Sequence, residues 1–156
     1  MATEIERKFL VAGDGWRSAV TSEFDIRQGY LSVTETTVRV RIKNGAAFLT
    51  IKSAGAGLSR QEFEFPIPSG DAEALLALCK SRIIRKRRHI VPAGTLQWEI
   101  DVFGDELAGL IIAEIELPSE STSFERPDWL GPEVTGDARY GNARLAAQEL
   151  GIPTLT

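Results

Sequence analysis

The sequence predicts a mostly β member of the α+β class: an eight-stranded antiparallel closed barrel with helices flanking it. Three observations predict it. Eight short strand-like runs follow one another with tight connections, at approximately 3–11, 25–33, 37–43, 46–53, 60–67, 83–91, 96–103 and 110–117. Within them apolar and polar residues alternate with a period of two, as in strands whose faces meet different surroundings. The polar positions also carry ordered doublets of one sign: Glu4/Glu6, Arg39/Arg41, Glu62/Glu64, Lys86/Arg88, Glu99/Asp101 and Glu114/Glu116, with Thr50/Lys52 as a milder case. Eight sequential strands suit a barrel or a sandwich. The doublets select the barrel, as the individual elements explain.

In the first strand, alternation puts Glu4, Glu6 and Lys8 on one face and Ile5 and Phe9 on the other. Trp16 to Val20 is a short helical candidate. Gln28 and Tyr30 share a parity in the second strand. Asn44-Gly45 is the strongest turn signal and makes a hairpin of Arg39–Lys43 and Ala46–Lys52, in which Val38, Val40 and Ile42 oppose the arginines. Gly55-Ala56-Gly57 forms a small flexible loop ahead of 60–67, where Phe63 and Phe65 oppose Glu62 and Glu64. Ser69 or Asp71 caps a helix over about 71–81, with Ala72, Leu75, Leu76 and Leu78 as its apolar stripe.

The run at 83–91 admits two registers. Lys86 and Arg88 are the preferred inner pair, and Arg85 and Arg87 are the alternative. Pro92-Ala93-Gly94 and Gly104-Asp105-Glu106 make short connections. Trp98, Ile100 and Val102 oppose Glu99 and Asp101; Ile111, Ala113, Ile115 and Leu117 oppose Glu114 and Glu116. Asp128-Trp129-Leu130 is a further helical candidate, and a last helix runs from Asn142 to Leu150, ended by Gly151 and Pro153. The apolar face is too rich in large residues to be solvated. It therefore packs against helices and a core outside, and the charges line the interior. Eight strands leave room for side chains or one small ligand. The expectation is a charged tunnel.

At 156 residues the chain fits one domain, 1–156, with a sizeable core. Hydrophobic residues at 43% and charged residues at 26% mark a globular chain. A net charge of −4 argues against nucleic acid as a partner, although local basic strands suit a small polyanion. Cys79, the single cysteine, lies in an apolar helical run and reads as a buried thiol without a disulfide partner, as suits a reducing compartment. The chain opens directly into a charged strand rather than a leader, and no apolar run reaches membrane-spanning length. These features predict a soluble, cytoplasmic protein with no membrane partner, monomeric or homodimeric.

The motifs Glu4-x-Glu6-x-Lys8, Arg39-x-Arg41, Thr50-x-Lys52, Arg60-x-Glu62-x-Glu64, Lys86-x-Arg88, Glu99-x-Asp101 and Glu114-x-Glu116 resemble the CYTH superfamily, the triphosphate tunnel metalloenzymes. Gln28-Gly29-Tyr30-Leu31 and Leu58-Ser59-Arg60-Gln61-Glu62 look like its small bacterial single-domain members, and Arg85-Lys86-Arg87-Arg88 departs from the pattern. The resemblance implies a triphosphate substrate and divalent metal. Lys8, Arg39, Arg41, Lys52, Arg60, Lys86 and Arg88 would cradle phosphates, with arginine forks gripping oxygens in pairs. Glu4, Glu6, Asp101, Glu114 and Glu116 are candidate ligands for Mg²⁺ or Mn²⁺. Glu62, Glu64 and Glu99 would hold the basic side chains. Tyr30 is a candidate general base, with barrel filling as its other reading. Lone His89 and lone Cys79 rule out a His- or Cys-rich zinc site.

An interior lattice of ion pairs without a ligand is a poor alternative, because desolvation offsets the attraction of buried pairs. The expected activity is metal-dependent cleavage of inorganic tripolyphosphate to pyrophosphate and phosphate. The competing activities are a class IV-type adenylate cyclase or thiamine triphosphatase, and a non-catalytic polyphosphate- or nucleotide-binding module.

Overall fold

The computed structural model describes residues 2–54, 59–79 and 81–147. Its strands are β1 (Ala2–Val11), β2 (Ser22–Val33), β3 (Thr37–Lys43), β4 (Ala46–Lys52), β5 (Ser59–Ile67), β6 (Ile84–Ala93), β7 (Leu96–Phe103), β8 (Ile111–Glu116) and β9 (Leu130–Glu133). Two α-helices join them, α1 (Ser69–Leu78) and α2 (Asn142–Ala147). The sheet order is β5-β4-β3-β2-β6-β7-β8-β1, and β1 returns to β5 to close an eight-stranded antiparallel barrel. Closure is short, running from Ala2↔Glu62 to Ile5↔Ser59. Farther along the chain β1 pairs with the extra strand β9 across a bulge. No helix among the described residues is long and apolar enough to cross a membrane.

Local chemistry explains the joints. Asn44 and Gly45 both have positive φ, 49° and 84°, as a two-residue hairpin whose twist matches its strands requires. Gly29 is fixed by close approach: a Cβ there would lie 2.8 Å from both Cys79 Sγ and Ile83 Cδ1, where the end of α1 meets β2. Cys79 is therefore half-buried against that strand rather than fully enclosed. The same contact explains why α1 stops at Leu78 instead of continuing to 81, because Cys79 is already extended. The helix begins at Ser69 after Pro68, with no side-chain cap.

Outward-facing residues pack in two clusters. Phe9, Trp98, Ile100, Ala113 and Ile115 meet Trp16 and Leu117, with Phe124 and Trp129 against them. Val40, Ile42 and Ala47 meet Ala72 and Leu76 of α1. Coverage is incomplete, since Phe65 on β5 is 51% exposed. A third cluster joins Tyr30, Ile84, Phe103 and Ile112 to Tyr140 and Leu145, with Leu10 against it. These inner-parity residues form an apolar plug at one end of the barrel, so the lumen is not charged along its whole length. Asp128-Trp129-Leu130 is a turn leading into β9, not a helix. Gly131 and Pro132 hid this strand; a Cβ at Gly131 would sit 3.0 Å from Leu10 O, so glycine eases the close approach of β9 to β1. Gly55, Ala56, Gly57, Leu58, the end of the last helix at Leu150, and Gly151 and Pro153 lie outside the described residues.

Candidate active site

The barrel register gathers the charge doublets inside. Glu6 pairs across β1–β8 with Glu116, and Lys8 with Glu114. Arg39 faces Thr50 across β3–β4, and Thr50 faces Glu64 across β4–β5. Arg88 faces Asp101 across β6–β7, and Glu99 faces Glu114 across β7–β8. Lys86 and Arg88 are buried, whereas Arg85 and Arg87 of the same strand are exposed and pair on the outer surface with Asp105, Glu23 and Asp25. That fixes the register which the Arg-Lys-Arg-Arg run left open.

At the centre is a fully formed ionic knot. Arg88 makes two bonds to Asp101, 2.8 and 2.9 Å, and a third to Glu99 at 3.0 Å. Lys86 Nζ lies 2.6 Å from Asp101 and donates to Asn142 Oδ1 at 3.1 Å. Burial works against the Asp101 carboxylate, but Arg88 and Lys86 win and hold it far below the usual range. Burial pushes Lys86 down to about 7 despite Asp101. Toward β1, Lys52 binds Glu4 at 2.9 Å and Glu62 at 3.4 Å. Lys8 lies 3.6 Å from Glu114 and donates to Tyr140 O at 3.2 Å.

Two groups lack such compensation. Arg41 donates to Gln28 Oε1 at 2.8 Å and makes no ion pair among the described residues. Burial, with Arg39 and Arg88 nearby, pushes it down to about 9, so it stays a cation at neutral pH. Arg39 touches Thr50 at 3.3 Å and Glu64 only at 3.9 Å, and its Nε is buried without a partner. Glu6 is the acidic counterpart. The Glu114 charge, then burial, then Glu4 push its carboxyl up to about 8. Burial also raises Glu4 and Glu116, while Lys8 and Arg88 offset burial at Glu114 and bring it down to about 2.

A cavity of about 70 Å³ lies between these walls, bordered by Glu6, Lys8, Tyr30, Arg39, Lys52 and Arg60 and capped by Gly141, Asn142 and Ala143. A neighbouring space of about 220 Å³ shares Glu6, Lys8, Arg60 and Gly141 and continues toward Thr135. Tyr30 combines a place on the cavity wall with packing in the plug. Among the described residues no three His, Cys, Asp or Glu side chains converge into a ready-made ion site. The crowded Glu6, Glu114 and Glu4 nevertheless fit a hard divalent cation, which would relieve their repulsion. A small hard divalent cation needs only one or two carboxylates and completes its shell with water and phosphate oxygens. Sequence reasoning gave Asn142, Tyr140 and Gln28 no role in the site. The first two arrive from outside the strand pattern, and an uncharged Gln28 carries no sign to notice.

Fold and lumen together define a class: a closed antiparallel β-barrel with opposed basic and acidic walls inside. The chain belongs to the CYTH domain family, whose model matches residues 2–147. It is 45% identical over 147 residues to an inorganic triphosphatase of Acetivibrio thermocellus, covering 93% of this chain and 94% of that one. It is 42% identical over 159 residues to an inorganic triphosphatase of Nitrosomonas europaea, covering 97% and 99%. The crystal structure of the inorganic triphosphatase NE1496 superposes with a TM-score of 0.67 at 37% identity, covering 99% of each chain. The PH1012 protein of Pyrococcus horikoshii shares the fold, with a TM-score of 0.61 at 22% identity over 75% of this chain and 79% of that one.

Proposed function

We propose that this barrel is a divalent-metal-dependent hydrolase that cleaves inorganic tripolyphosphate to pyrophosphate and phosphate. The observation that carries the reading is the unequal compensation of the lumen. Arg39 and Arg41 form a cationic wall short of carboxylates, facing an acidic wall so crowded that Glu6 is pushed up to about 8. A linear polyanion neutralises the first wall, and a divalent cation neutralises the second. Nearly full-length similarity to two inorganic triphosphatases supports the same reading.

In this assignment Lys8, Arg39, Arg41, Lys52, Arg60, Lys86 and Arg88 bind phosphate oxygens. Glu4, Glu6, Glu114 and Glu116 hold Mg²⁺ or Mn²⁺, with Asp101 reaching them only by giving up Lys86 and Arg88. Glu62, Glu64 and Glu99 orient the basic side chains. Bound metal would supply phosphoryl polarisation and acidification of the attacking water. Phosphoryl transfer rests on positioning and on charge stabilisation in the transition state. Arg39 and Arg41 serve both, and Lys8 offers its ammonium beside the acidic wall. Tyr30, on the cavity wall beside Lys8 and Arg39, is the candidate to receive the proton of the attacking water.

The plug favours an inorganic substrate over a nucleotide. Gly141 to Ala143 cap the small cavity, and the space of about 550 Å³ at the opposite end is bordered by Thr95, Leu96, Gln97, Glu99, Glu116, Leu117 and Pro118. Two carboxylates and no aromatic ring suit neither a nucleotide's charge nor its base. A substrate panel in Mg²⁺ and in Mn²⁺, reading phosphate and cyclic nucleotide separately, tests this. Tripolyphosphate should show a far higher kcat/KM than ATP or thiamine triphosphate, and chelation should abolish turnover. Cyclic AMP as the main product from ATP, at a rate rivalling tripolyphosphate cleavage, overturns the reading in favour of the cyclase. Full activity in chelator removes the metal.

A further inference from the structure

We infer that Gln28 is a positioning residue of the anion cradle: it aligns Arg41 through an uncharged acceptor and so leaves the full guanidinium charge for the bound polyanion. The inference rests on the tripolyphosphate reading above. Gln28 is 0% exposed, on the inward face of β2 directly across from Arg41. Its Oε1 accepts from Arg41 Nε at 2.8 Å, and its Nε2 is buried with no partner. The Arg41 contact fixes which way the amide points, since the flipped amide would set donor against donor.

Three features single out this pair. Arg88, Lys86, Lys52 and Lys8 each have a carboxylate within 3.6 Å, whereas Arg41 has none among the described residues. A carboxylate would fill the Gln28 position equally well and bind Arg41 more strongly, because charge-assisted bonds are roughly twice as strong as neutral ones. It would also cancel the charge. Finally, a buried N–H without an acceptor is costly, and Gln28 Nε2 has none among the described residues. A phosphate oxygen near Arg41 supplies the missing acceptor, so the amide that steadies Arg41 also adds an uncharged donor to the cradle. Glutamine is the side chain of this size that does both.

The test compares two variants near glutamine in size. Gln28→Glu keeps the bond to Arg41 but neutralises it. Its KM for tripolyphosphate and its metal-free Kd for pyrophosphate should rise about 10–100-fold, with thermal stability equal or higher. Gln28→Met removes the acceptor and keeps the charge. Its loss should fall mainly on kcat, by about tenfold, as Arg41 loses its alignment. Gln28→Glu with KM and Kd within about twofold of wild type overturns the clamp, and so does Gln28→Met with unchanged kcat/KM should the glutamate variant not fold. A wild-type protein that leaves tripolyphosphate intact defeats the substrate reading alone. The pyrophosphate Kd of Gln28→Glu still decides the clamp.

Discussion

Two basic strands meet in the lumen and are held in opposite ways. On β6, Lys86 and Arg88 converge on Asp101, and Glu99 adds a further contact. On β3, Arg41 leans on neutral Gln28, and Arg39 reaches Glu64 only at 3.9 Å. The β6 knot is complete without a ligand. The β3 wall leaves both arginines short of carboxylates. A buried ion pair adds little net stability, yet breaking it leaves a buried charge uncompensated. Loss of the knot should therefore act on folding, and loss of the wall on binding and turnover.

Asp101→Asn gives the largest stability effect. It strands Lys86 and Arg88, whose side chains are 0% and 7% exposed. The expected cost is about 3–5 kcal/mol, on the order of 10 °C in Tm for a chain of this size. The Asp101 contribution is also the acid-labile one. Its folded-state pKa lies far below its ordinary value of 3.8, so its stabilisation is present above that value and declines as pH falls below it. If Asp101→Asn keeps its Tm and loses activity that added Mg²⁺ restores, Asp101 belongs to the metal and not to the knot.

Arg41→Ala should do the reverse. Arg39 and Arg88 oppose its charge, so thermal stability should hold or rise. Turnover should fall by about 10²–10³, the range for losing one preorganised electrostatic contact. A variant with lowered Tm and near-native kcat/KM would reverse the roles of the two strands.

This contrast marks the limit of what the sequence reveals. Alternation along Glu4-x-Glu6-x-Lys8 and Arg39-x-Arg41 exposes the barrel and its inward parity, because period two follows from strand geometry and a lumen accepts side chains from one face only. Pairing does not follow from alternation. Which carboxylate meets Lys52 depends on the stagger of β1, β4 and β5, set by turns and closure far apart in the chain. The plug was hidden for a related reason: Leu10, Tyr30, Ile84, Phe103 and Ile112 share the parity of the charges and become an apolar lid only where Tyr140 and Leu145 cover them. Strand β9 was lost to Gly131 and Pro132, which read as a turn until the edge of β1 gives them something to pair with.

The acidic wall sharpens the comparison through pH. Glu6 is pushed up from an ordinary 4.5 to about 8. Between those values the unfolded chain has released a proton that the folded chain keeps, so stability falls as pH rises from about 4.5 to 8 and levels off above. Glu6→Gln should flatten this slope in metal-free melts, and Mg²⁺ should flatten it for wild type. The same variant should lose turnover as a ligand-deficient wall. A wild-type Tm independent of pH from 5 to 8 without metal would mean that Glu6 is ionised in the folded protein, its charge compensated by neighbouring cations.

The smallest effect falls on the other face of β6. Arg85 and Arg87 alternate with Lys86 and Arg88, carry the same charge and differ only in parity. Arg87 meets Glu23 and Asp25 on the exposed surface, and Arg85 meets Asp105 there. Exposed pairs of this kind are screened by water and salt. Replacing both with alanine should leave kcat and KM for tripolyphosphate unchanged and barely move Tm. Lys86→Ala, one residue away, should lower Tm, because the buried Asp101 loses one of its two cations. Equal losses from the two replacements would mean that β6 slips by one residue, which turns His89 and Val91 inward and breaks their outer contacts with Trp16 and its cluster. Position along β6 would then matter less than total charge, and the division of labour between the two basic strands would fall with it.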